Sequence, residues 1–168
     1  MRKHGLKAIA IAAVLLSGWL GAANAESSIG GGVHYLRNLG DIQTYGYEEN
    51  SFSLMASYQF AGPLLKFEAD LEYVFDFAGT GEAMWEPQAY ALVGGMIYGG
   101  AGIGIGYLDG DWQNDPFYAL RAGVNLPLGG FNLDMFASYR FQSDEELENL
   151  TGDDLDSMTF GALMRFGL

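Results

Sequence analysis

The side chains best placed to do chemistry in this sequence are charges spaced two residues apart. Lys66, Glu68, Asp70, Glu72 and Asp76 alternate with apolar Leu65, Phe67, Ala69, Leu71, Tyr73, Phe75 and Phe77. A β-strand sends successive side chains to opposite faces, so Leu65–Phe77 has one apolar face and one ionic face. Arg121, Asp134, Arg140 and Arg165 alternate with apolar residues in later segments, and they too lie opposite the apolar side. Acids and bases interleaved in this way suit mutual ion pairing and hydrogen bonding.

Other candidates are weaker. His34 is the only histidine after residue 25, and there is no cysteine to serve as a nucleophile, disulfide partner or thiolate ligand. Gly99–Gly106 contains GxGxG strings, but Tyr107-Leu108-Asp109 follows where a phosphate loop requires a helix. Asp109, Asp111 and Asp115, and then Asp153, Asp154 and Asp156, are spaced closely enough to attract divalent cations. Neither run matches the ligand spacing of an EF-hand, and solvated loop charge is the simpler reading.

The elements that must position these groups are strands, because after Glu26 the hydrophobic period is two almost throughout. Eight are expected: Ser28–Asn38, Ser51–Phe60, Leu65–Phe77, Pro87–Val93, Tyr98–Leu108, Phe117–Leu126, Phe131–Gln142 and Met158–Leu168. Ala61-Gly62-Pro63, Gly94–Ile97 and Pro127–Gly130 make tight turns. Leu39–Asn50, Ala78–Glu86, Asp109–Asp115 and Ser143–Ser157 are longer links, so an up-and-down meander gathers its short turns at one end and its long loops at the other. The third strand, at thirteen residues, is long for a globular protein and long enough for a tilted strand crossing a bilayer.

Charge placement selects the inner face. The segment after residue 25 has five basic and 21 acidic residues, a formal charge of −16, which argues against nucleic acid as a partner. Four of the five bases share the ionic phase with Glu68, Asp70, Glu72, Asp76 and Asp134, while 15 acids crowd into the four long links. A closed interior explains why bases gather there, since buried charges must be paired. The apolar face then looks outward into lipid, with aromatic residues toward both ends. A soluble lipocalin-like barrel is the competing architecture, and it requires the opposite orientation.

At the N-terminus, Arg2, Lys3 and Lys7 precede the apolar run Ala8–Leu20 and the small-x-small site Ala23-Asn24-Ala25. That combination predicts a cleavable secretory signal peptide over residues 1–25, with a barrel domain over 26–168.

Taken together, the sequence resembles the small eight-stranded outer-membrane β-barrels of Gram-negative bacteria, the OmpX, OmpA-barrel and opacity-protein group. The most specific local feature is Thr159-x-Gly161-x-x-Met164-x-Phe166, which looks like the C-terminal signal read by the barrel-assembly machinery, although the chain ends in Leu168 rather than Phe. The resemblance implies an all-β, eight-stranded antiparallel barrel in the bacterial outer membrane, in contact with outer-membrane lipids and lipopolysaccharide. It implies a monomer with no cofactor. Lipid-modifying barrels of similar size use a His-x-Ser pair on a late strand, or a His-Asp-Ser set in the loops, and neither occurs here; a non-enzymatic role is therefore expected. A structural or surface-interaction barrel with a plugged lumen is the leading expectation, and a narrow porin-like channel is the alternative.

Overall fold

A computed structural model of the chain describes residues 26–39, 50–76, 79, 81–108, 110–113, 115–141 and 157–168. The expected signal peptide lies outside these residues. All regular structure among them is strand. The long strands are β1 (Glu26–Asn38), β2 (Asn50–Ala61), β3 (Leu65–Val74), β4 (Met84–Gly94) and β5 (Ile97–Gly104). Two short rungs follow, β6 (Tyr107–Leu108) and β7 (Asp111–Trp112), and then β8 (Phe117–Pro127), β9 (Asn132–Phe141) and β10 (Ser157–Gly167).

Every neighbouring pair is antiparallel, in the order β3-β2-β1-β10-β9-β8-β5-β4, and β4 returns to pair with β3. The eight long strands therefore close into a barrel without an open edge, which is how a spanning sheet satisfies all its backbone groups. β6 and β7 form a small hairpin above the loop end of β4; the sequence reading counts β6 as the end of the fifth strand and β7 as part of the link that follows.

Strand limits differ from the sequence reading by three residues or more at three places, and elsewhere by one or two. β3 stops at Val74, and Phe75 and Asp76 bend away from it. β4 begins at Met84, so Pro87 lies inside the strand, opposite Leu71. Proline contributes no N–H, and toward β5 the regular ladder lapses across from Pro87, where only Ile105 N donates to Pro87 O at 3.2 Å. β5 ends at Gly104, short of the expected Leu108.

Alternation is otherwise strict. The β2 apolar set Phe52, Leu54 and Tyr58 is exposed, whereas Ser53, Met55, Ser57 and Gln59 are buried. Outward apolar side chains and inward polar ones are the reverse of the lipocalin arrangement. Aromatic pairs ring the loop end: Tyr35 with Phe52, Tyr73 with Trp85, Tyr107 with Trp112 and Tyr118 with Phe141, at centroid distances of 4.6–5.9 Å. Phe131 and Phe166 at 6.2 Å, and Phe60 opposite Phe67, mark the turn end. Two aromatic girdles around an apolar band are the exterior that a bilayer selects.

Inside, aromatic rings lie over glycines on the adjacent strand. A β-carbon at Gly102 would stand 2.3 Å from the Tyr90 ring, one at Gly104 2.3 Å from Phe117, and one at Gly161 2.3 Å from Phe136. The glycine run of β5 thus makes room for lumen aromatics.

Candidate functional site

The site built by this fold is the barrel interior. Lys66, Glu68, Asp70 and Glu72 project inward from β3, Arg121 from β8, Asp134 and Arg140 from β9, and Arg165 from β10, and all are buried. Because these strands encircle the lumen, charges far apart in sequence meet at its centre.

Arg121 is the middle element. Its Nη1 donates to Glu68 Oε1 at 2.7 Å and to Asp70 Oδ2 at 2.8 Å, and its Nε donates to Ser138 Oγ at 3.1 Å. The guanidinium is held between the rings of Tyr90 and Phe136, at 3.6 and 4.0 Å from their centroids. Delocalised charge, planar shape and five fixed donors suit arginine to this position, where lysine would lose both the stacking and the forked donors.

Toward the turns, Arg165 Nε donates to Asp134 Oδ2 at 2.6 Å and its Nη1 to Ser57 Oγ at 2.9 Å. Its Nη2 is 2.7 Å from Glu68 Oε2, an ion pair without hydrogen-bond alignment. Tyr98 donates to Asp134 Oδ1 at 2.6 Å, and Gln59 Nε2 donates to Glu68 Oε2 at 2.7 Å. Lys66 takes no carboxylate partner among the described residues. It donates to Gly95 O at 2.8 Å and lies over the Tyr98 ring.

Toward the loops, Glu72 is the hub. It accepts from His34 Nδ1 at 2.6 Å, Ser53 Oγ, Gln88 Nε2 at 2.7 Å and Arg140 Nη2 at 2.7 Å. Arg140 Nη1 also donates to Glu86 Oε2 at 2.9 Å. Tyr90 donates to Gln88 at 2.8 Å while its ring packs on Arg121, and so joins the two halves of the network.

Two memberships differ from the sequence reading. Asp76 does not belong to the interior: it is exposed beyond the end of β3 and accepts from Gly81 N at 2.8 Å. Glu86, read as part of a link, faces inward opposite Glu72. The alternation Met84, Glu86, Gln88, Tyr90, Leu92 was the signal for it, interrupted by Pro87. Among the described residues the interior keeps five acids and four bases, with Glu86 in place of Asp76. Five buried atoms find no hydrogen-bond partner among the described residues: His34 Nε2, Asp70 Oδ1, Arg121 Nη2, Arg140 Nε and Arg165 Nη2.

The remaining candidates disperse. Thr159 faces inward and bonds Ser138 O at 3.4 Å, Gly161 underlies Phe136, and Met164 and Phe166 point outward. Asp111 and Asp115 are exposed, whereas Asp109, Asp153, Asp154 and Asp156 lie outside the described residues. No group of three potential metal ligands occurs among the described residues.

No protein-family model and no curated protein matches the chain. Among solved structures the chain is similar to Neisserial surface protein A, with a TM-score of 0.60 at 15% identity over 85% of this chain and 98% of that one. It also matches Ail, the attachment invasion locus protein of Yersinia pestis solved with the heparin analogue sucrose octasulfate, at TM-score 0.48, 18% identity and coverage of 86% and 99%. The outer membrane protein OprG of Pseudomonas aeruginosa gives 0.42, 12%, 85% and 93%. The first likeness and the closed ring agree: the chain has the fold of a small eight-stranded outer-membrane β-barrel.

Proposed function

We propose that this chain is an integral outer-membrane barrel, exported by its N-terminal signal and inserted by the barrel-assembly machinery. Its interior is a static ionic plug, and its acidic loops make contacts at the cell surface. The observation that carries this reading is the polarity of the wall. Phe52, Leu54, Tyr58, Leu71 and Phe160 face outward, while every arginine of β8, β9 and β10 is buried inside. In water such an exterior would associate, whereas in a bilayer it is solvated.

The bracing supports the plug. Arg121, Arg140 and Arg165 each hold carboxylates from other strands, and the rings of Tyr90, Phe117 and Phe136 lie against two of these guanidiniums. The protein should fractionate with outer membranes and, once purified, show heat-modifiable gel mobility and give no steps in planar-bilayer recordings. Recovery as a soluble periplasmic monomer overturns the membrane assignment. Reproducible conductance steps overturn the plug and favour the narrow channel.

Non-enzymatic action is part of the same proposal. His34, Ser53 and Glu72 come nearest to a hydrolytic set, yet both His34 and Ser53 point at one carboxylate oxygen instead of forming a relay. Lipid-A modification assays with the wild type and His34→Ala should be indistinguishable. We also infer that divalent cations bridge loop carboxylates to anionic lipopolysaccharide, since oxygen ligands suit Ca²⁺ and both surfaces are anionic. Ca²⁺ titration at fixed ionic strength should release heat and protect the loops from protease.

A further inference from the structure

The outer wall is not uniformly convex. A groove of about 640 Å³ crosses it from β5 to β2, lined almost wholly by apolar atoms. Its cause is local. Ala122 of β8 stands beside Ala137 of β9, and Ala162 of β10 pairs with Met135 and Val33, so three short side chains leave a trough between taller neighbours. The trough starts at Ile97, just after a tight turn, and ends at Tyr35 and Phe52 in the loop-end girdle. It spans five interstrand steps of about 4.8 Å, and with strands tilted by roughly 40° it rises about 15 Å, half the roughly 30 Å hydrocarbon core.

Charge bears on what the groove can hold. Among the described residues Arg37 is the only exposed basic side chain, since Lys66, Arg121, Arg140 and Arg165 are all buried. It stands on the outward face of β1, two residues beyond Tyr35 and opposite Met158, just past the loop end of the groove. Nearby, the Tyr35 hydroxyl donates to Asn50 Oδ1 at 2.6 Å, so this end is polar while the trough below is not.

We infer that this groove is a binding site for one anionic lipid of the leaflet next to the loops, with an acyl chain along Ala122, Ala137 and Ala162 and the headgroup phosphate on Arg37. The inference rests on the membrane reading above. A second copy of the chain fits less well, because a two-fold contact would set trough against trough and leave the space between them unfilled. A flexible chain fills it, and guanidinium recognises phosphate through paired N–H donors.

The test uses two proteins freed of residues 1–25, and so of Trp19, each with a single tryptophan and reconstituted in phosphatidylcholine vesicles. One carries Phe160→Trp with Trp85→Phe and Trp112→Phe, placing the reporter on the groove. The other carries only Trp112→Phe, leaving Trp85 on the opposite wall. Brominated phosphatidic acid should quench the groove reporter with about fivefold preference over brominated phosphatidylcholine, and Trp85 without preference. Arg37→Gln should abolish the preference, and Ala137→Leu should weaken it by filling the trough.

Equal quenching at both positions, or a preference surviving Arg37→Gln, overturns the inference while leaving the membrane reading intact. Quenching of Trp85 alone, together with a crosslinked dimer, assigns the groove to a second copy and also overturns it. Absence of quenching at both positions means that the barrel is not in the bilayer, and the membrane reading then falls first.

Discussion

Arg140 and Glu72 meet at 2.7 Å across the full width of the barrel. β9 and β3 are four strands apart whichever way the ring is followed, so this ion pair is a brace along a diameter. The same guanidinium holds Glu86 on the adjoining strand at 2.9 Å. A chain folded around such a brace commits its interior charge to structure.

The first prediction tests that brace. Arg140→Met leaves Glu72 and Glu86 buried without their cation and should destabilise the barrel by about 3–5 kcal/mol. Glu72 retains His34, Ser53 and Gln88, whereas Arg140 is the one side chain that donates to Glu86 among the described residues. Adding Glu86→Gln to Arg140→Met should therefore recover part of the loss. Urea unfolding in phospholipid vesicles, followed by the heat-modifiable gel band, measures both. No recovery in the double variant means that Glu86 is not the uncompensated charge.

The second prediction separates the two roles of Tyr90. Its ring faces the desolvated Arg121 guanidinium and its hydroxyl bonds Gln88. Tyr90→Phe removes one hydrogen bond and should cost about 1 kcal/mol. Tyr90→Leu also removes a buried cation–π contact, worth about 2 kcal/mol, and should cost clearly more. Equal losses from the two variants would mean that the ring acts only as filler.

How far the interior is legible in the sequence depends on parity. Alternate spacing determines which residues share a face, so Lys66, Glu68, Asp70 and Glu72 group together on spacing alone. Strand length is less visible. Asp76 has the right parity, but β3 has already ended, and the bend at Phe75 carries its side chain into solvent. Glu86 has the right parity behind a proline that reads as a strand boundary. Partners across the lumen are set by strand order and stagger, which bring Arg140 to Glu72 although they stand 68 positions apart in the chain. No local pattern encodes that distance. The neutral partners Tyr98, Gln59, Gln88 and Ser138 escape a reading based on charge for a related reason, since uncharged side chains on a polar face leave no imbalance to notice.

The third prediction concerns Gly161, which belongs both to the C-terminal pattern and to the packing. A β-carbon there would meet three atoms of the Phe136 ring at 2.3–2.7 Å. Gly161→Ala should destabilise by about 1–3 kcal/mol through overpacking. Phe136→Leu in the same chain should relieve much of this, at the cost of the contact with Arg121. If Gly161 matters only for recognition during assembly, Gly161→Ala unfolds like the wild type and adding Phe136→Leu only lowers the midpoint.

The fourth prediction compares two carboxylates that differ in what they accept. Glu72 receives His34 and Ser53 on one oxygen and Gln88 and Arg140 on the other. Replacement by Gln keeps the size, but an NH₂ group turned toward Gln88 and Arg140 confronts donors, and one turned toward His34 and Ser53 is accepted only if the imidazole switches tautomer or the hydroxyl turns. Among the described residues Glu86 receives only Arg140, on one oxygen, so Glu86→Gln can still offer its carbonyl to that arginine. Loss of charge is common to both variants, and the forced rearrangement of surrounding donors belongs to Glu72 alone. Glu72→Gln should therefore cost about 2–4 kcal/mol more than Glu86→Gln in vesicle unfolding. Equal costs would show that the interior responds only to its net charge, and the hub arrangement around Glu72 would then carry no energetic weight of its own.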